Sequence, residues 1–171
     1  MKNEEPKEPS NVHIPRWNEL PNVDLYLDQV VTLINNSLSD FLRSNQNDEN
    51  KKENQILTKT MINNYVKNNL IDAPEKKKYS KIQCAKLFVI CILKQVYSMN
   101  EISKLIDMAL KSSDIEQAYN SFCLQFEQAL IDAYNEEENI EIESNNKNLY
   151  LLKTVLLSCC YKIYVQNMIW K

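Results

Sequence analysis

The chain has 171 residues, 44% hydrophobic and 25% charged, with a formal net charge of −3; this balance suits one globular domain, or a small domain with a helical extension, and excludes a disordered chain. It contains no glycine, which excludes Walker phosphate loops, dinucleotide fingerprints and nucleophile elbows, because each needs the positive φ or close backbone approach that glycine allows. With a single histidine, His13, no histidine-based acid–base pair or metal cluster forms within one chain, so we expect no enzyme, no cofactor and no metal site.

In chain order, residues 1–14 are polar, acidic and proline-flanked. They read as a disordered tail, with no apolar core for a signal peptide. In the next stretch, IPRWNELP, Ile14, Trp17 and Leu20 are placed to pin the tail onto the core. A first helix is expected from about Asp24 to Arg43, with Asp24 as N-cap and Leu27, Val30, Val31, Ile34, Leu38, Phe41 and Leu42 repeating at three- and four-residue steps. The run 44–54 has no apolar residue and reads as a solvated linker. A short helix is expected over 58–68, capped by Thr58 and facing inward through Met61, Ile62, Tyr65 and Val66. Asn69 then tolerates the left-handed conformation that ends a helix.

Residues 70–80 form an irregular segment broken by Pro74. Without glycine, a tight hairpin is disfavoured there. Ser80 caps a third helix over 81–97 whose LFVICIL run is apolar nearly all round and therefore central. Capping boxes of Ser98 with Glu101 and of Ser113 with Glu116 open helices over 99–111 and 114–135. After an acidic loop, 135–148, a sixth helix runs from Leu149 to Trp170. Lys153 and Lys162 inside it argue for a buried helix rather than a membrane span. The expected fold class is all-α with six helices and at most a minimal wing at 71–79. Its predicted core is Leu87, Ile90, Leu93, Phe122, Phe126, Val155 and Leu156.

Cys84, Cys91, Cys123, Cys159 and Cys160 are odd in number and lack C-x-x-C spacing. Free cysteine packs as a small hydrophobe, so they read as core residues of a cytoplasmic protein. A thiol or metal sensor built on Cys123, Cys159 and Cys160 is opposed by geometry, because adjacent helical cysteines point about 100° apart.

Charge is unevenly distributed. Residues 51–104 carry eleven lysines and four acidic side chains, net +7, between two flanking stretches of net −5 each. A clustered positive block is the footprint of phosphate contacts, and equally of a solvated lysine surface.

Within that block, LTKTMINNYVKNNLIDAPEKKKYS, succeeded by an apolar helix and MNEISKLI, resembles the MerR-type helix-turn-helix. Ile62, Asn63, Asn64, Tyr65, Val66 and Lys67 fall on that family's recognition helix, and Asn69 stands where the family has glycine. Leu70-Ile71, Pro74, Lys78 and Tyr79-Ser80 match the family's Leu-Ile pair, proline, basic wing and Tyr-Ser helix start. The longer string, roughly residues 14–107, is also similar to the uncharacterised bacterial YkrK-like family. The resemblance implies a MerR-like helix-turn-helix domain over 15–111 and a DNA-binding role in transcription regulation. Residues 112–171 are then left as a C-terminal helical pair for packing or dimerisation.

On that reading helix 58–68 enters the major groove of double-stranded DNA. Thr58, Lys59, Thr60, Asn63, Asn64 and Lys67 are its candidate contacts, and positions 60, 63, 64 and 67 share one face. Asparagine bonds adenine through both amide groups, threonine meets a thymine methyl, and lysine serves phosphate or guanine. The lysine-rich turn 76–81, through Lys76, Lys77, Lys78 and Lys81, would hold the phosphate backbone, with Tyr79 either donating to a phosphate or packing inward. The nearly all-apolar sixth helix suggests a homodimer, as two half-sites require. The alternative is a non-enzymatic protein–protein interaction module on a helix-turn-helix-like fold.

Overall fold

The computed structural model describes residues 12–42, 55–135 and 147–169. The expected linker 44–54, nearly all of the tail and most of the acidic loop lie outside the described residues. Among the described residues six helices carry the fold, as the periodicity predicts: α1 (Leu27–Leu38), α2 (Lys59–Lys67), α3 (Lys81–Leu93), α4 (Met99–Leu110), α5 (Ile115–Tyr134) and α6 (Lys147–Ile169). A 3₁₀ turn, Trp17–Glu19, precedes them. Two short strands, β1 (Leu25–Tyr26) and β2 (Lys78–Tyr79), pair antiparallel, Leu25 opposite Tyr79 and Tyr26 opposite Lys78.

That pairing corrects two expectations. Strand contact is not confined to residues 71–79, and Asp24 does not cap α1. Leu25 and Tyr26 are extended, which gives the backbone of Lys78 and Tyr79 a hydrogen-bonding partner that a lone strand would lack. The cap of the helix therefore lies two residues later than expected, where the Tyr26 N–H donates to Gln29 Oε1 at 2.9 Å. Its far end is also shorter, because Phe41 and Leu42 fold back in turns onto the Leu38 carbonyl, both buried. Likewise α3 stops at Leu93 and gives way to turns through Tyr97.

Besides Asp24, four helix starts carried a capping signal, and three of them obey it. Thr58, Ser80 and Ser98 accept from the N–H groups of Met61, Gln83 and Glu101. The fourth is displaced by one residue: Asp114, not Ser113, caps α5, accepting from the Gln117 N–H at 2.9 Å. An ionised carboxylate is the stronger acceptor at a helix N-terminus.

Among the described residues one hydrophobic cluster runs through the whole fold, from Ile14 to Ile163. Helix α3 is its axis, with nine of thirteen residues buried. Of the predicted core, Leu87, Ile90, Leu93, Phe126, Val155 and Leu156 are buried, and Phe122 is half-buried against it. Ile14 is fully buried, so the inner end of the expected tail is anchored. There the N–H of Ile14 and the guanidinium of Arg16 both bond the carboxylate of Glu127 on α5.

Helices α5 and α6 run parallel: the Cys160 thiol meets the Phe126 carbonyl, and further along both helices Asn167 bonds the Tyr134 hydroxyl at 2.9 Å. All five cysteines are free and buried. Burial pushes the thiols up, to about 11 for Cys84 and about 12 for Cys91, Cys123 and Cys159, with Cys160 raised as well. Among the described residues no helix is long and apolar enough to cross a membrane.

Candidate nucleic-acid interface

Helix α2 is held from both ends. At its start, Asn35 of α1 clamps the entering chain: its Oδ1 accepts from the N–H of Ile56 at 2.7 Å, and its Nδ2 donates to the Leu57 carbonyl at 2.8 Å. At its end, the N–H groups of Asn69 and Leu70 bond the carbonyls of Val66 and Tyr65, with Asn69 left-handed at φ 55°. That is a Schellman stop with asparagine in the glycine position, as the sequence predicts. Ile62 and Tyr65 point into the core, and the Tyr65 hydroxyl finds no partner among the described residues.

The outward face presents Thr60, Asn63, Asn64 and Lys67, all exposed. The amide oxygen of Asn64 accepts from Asn68 Nδ2 at 2.9 Å. Thr58 is half-buried in its cap role, and Lys59 forms an ion pair with Asp28 of α1.

Eight residues beyond α2 comes a turn that corrects the expectation against tight hairpins. Lys78 donates to the Glu75 carbonyl at 2.8 Å, closing a two-residue loop. Lys76 and Lys77 at its tip both have positive φ, 48° and 66°. Glycine and asparagine normally fill such a turn, since a side chain in the left-handed region costs about 1–2 kcal/mol per residue. The base of the turn is pinned by Gln83, whose Nε2 donates to the carbonyls of Asp72 (2.8 Å) and Ala73 (3.3 Å) while its Oε1 accepts the Ser80 N–H.

The lysines of 76–81 therefore divide. Lys76 and Lys77 stand exposed at the tip. Lys78 lies over the Tyr26 ring at 5.0 Å, and Lys81 over the Trp17 ring at 5.2 Å while donating to Asn22. Tyr79 takes the inward of its two options: it is 3% exposed, and burial raises its phenol above the ordinary value. Sequence reasoning misses two positioning residues, Asn35 and Gln83. Gln83 was detectable, because it completes the Ser80-x-x-Gln83 capping box. Asn35 looks like any polar residue beside a helical stripe.

Among the described residues no three His, Cys, Asp or Glu side chains lie together in a way that would hold a metal ion. A family model described as Domain of unknown function (DUF1836) matches residues 15–122. The chain matches no curated protein and no solved structure.

Proposed function

We infer the work of this chain from its own geometry, because it belongs to the DUF1836 family, whose description assigns no function. We propose that it is a DNA-binding transcriptional regulator with a MerR-like helix-turn-helix. On this proposal α2 reads base edges through Thr60, Asn63 and Lys67, and the turn after it holds phosphates through Lys76 and Lys77. The observation that carries the reading is the turn tip: two adjacent lysines keep a left-handed backbone that their side chains disfavour, and both side chains are exposed to solvent. Strain of this kind concentrates at functional positions. Further support comes from the order of elements, in which a strand, a helix, a capped outward-facing helix and a turn lead into a strand that pairs back onto the first.

The test is fluorescence anisotropy with duplexes selected from a random pool, at several salt concentrations. Affinity should fall steeply with salt, since each neutralised phosphate releases condensed counterions. Replacing Lys76 and Lys77 by alanine should weaken binding to every duplex and flatten the log–log salt slope by about 2. Asn63→Ala should instead cost about 1–3 kcal/mol on the selected site alone. No duplex binding at about 50 mM salt, or a double lysine variant with unchanged affinity, overturns the reading.

We also propose that the regulator acts as a homodimer through α6, where Tyr161, Val165 and Ile169, at four-residue steps, form an exposed apolar stripe, with Tyr150 exposed about three turns before it. If DNA binding fails while this stripe still associates, the interaction-module alternative takes its place.

A further inference from the structure

Helices α3, α4, α5 and α6 line an apolar cleft of about 80 Å³. Its walls include Val89, Leu105, Ala109, Phe122 and Leu152, and among the described residues Lys86 is the one charged residue in its lining. The Lys86 ammonium is engaged only loosely, 3.5 Å from a carboxylate oxygen of Asp72 whose side chain is 80% exposed. An ion pair with one partner so far in solvent is weak and open to competition. A small apolar space with a lysine side chain in its wall, its ammonium free to turn from Asp72, fits an amphipathic anion. Its volume is about half that of an engineered cavity that takes benzene, room for a tail of roughly three carbons.

We propose that this cleft binds a short-chain aliphatic carboxylate, with the tail between α4 and α6 and the carboxylate on Lys86 in place of Asp72. The site goes beyond the DNA-binding reading and does not rest on it, and its test contains no DNA. The full chain is titrated with straight-chain carboxylates from acetate to octanoate and with the matching primary alcohols, at constant ionic strength, monitored through protein methyl resonances. Binding should saturate and tighten about fourfold for each added methylene, the free energy of burying one such group. The gain should stop once the cleft is full. Carboxylates should bind about tenfold tighter than their alcohols, and Lys86→Met should make the two equal without weakening the alcohols. Ala109→Phe, which fills the cleft, should abolish both series. Where that variant does not fold, the comparison of Lys86→Met with the parent decides alone. Alcohols binding as tightly as carboxylates to the parent chain overturn the proposal, as does a Lys86→Met variant that keeps the difference. So does the absence of saturation by any member up to about 10 mM.

Discussion

Lys76, Lys77 and Asn69 share a left-handed backbone for different reasons. Asn69 is a residue type that tolerates the conformation, and it ends a helix. The two lysines carry a side chain that resists it, held there by the turn hydrogen bond and by Gln83 beneath. Replacing either lysine by glycine should therefore raise stability by about 1 kcal/mol, because the left-handed penalty outweighs glycine's greater unfolded-state freedom. For a chain of this size that is a rise in Tm of about 2–4 °C, read by calorimetry. A fall in Tm would mean that the lysine side chains themselves stabilise the turn. The buried thiols make a second residue-scale prediction. Their folded pKa values lie above the ordinary 9.0, so the stability they contribute is whole below pH 9 and lost as pH rises from there toward about 12, where the unfolded chain ionises first. A thiol reagent at about pH 8, below the ordinary thiol value, should label no cysteine in the native protein and all five in denaturant. Rapid labelling of a native cysteine would contradict the burial.

Beside the Lys59–Asp28 ion pair, the amide of Asn35 ties α1 to the chain that enters α2. Asn35 satisfies the backbone of Ile56 and Leu57 where the chain re-enters the described fold, and also donates to the Val31 carbonyl. Asn35→Ala leaves these partly buried groups unpartnered, so it should cost about 1–3 kcal/mol in urea unfolding. Because the clamp sets where α2 begins, we expect the same variant to lose its preference for selected duplexes more than its non-specific affinity. Equal stability with and without Asn35 would show that water replaces it. At this scale the apolar periodicities and the Thr58, Ser80 and Ser98 caps were legible, since helix starts are decided within about four residues. The start of α1 was not, because the extended state of Leu25 and Tyr26 depends on a strand far along the chain, at Lys78 and Tyr79. The cap of α5 differs by one residue for a local reason: Ser113 and Asp114 both suit the position, and the carboxylate took it.

Across the whole molecule, the N-terminal segment and α5 close the fold through Arg16 and Glu127, and α5 with α6 carries most of the large apolar side chains left exposed among the described residues. Tyr150, Tyr161, Val165 and Ile169 on α6 are each more than two-fifths exposed. Sedimentation equilibrium at micromolar concentration should therefore give a species of twice the 20.1 kDa chain mass, and Tyr161→Glu with Val165→Glu should return it to monomer. A parent chain that stays monomeric removes the homodimer. The sequence by itself determined helix number, the central place of α3, the burial of the cysteines and the outward face of α2. Each is set by composition or by periodicity within one segment. Tertiary structure alone decided the β1–β2 pairing, the two-lysine turn, the inward Tyr79, the parallel run of α5 and α6, and the cleft between α3 and α6. These depend on contacts between residues far apart in the chain, and on backbone strain that only surrounding packing sustains.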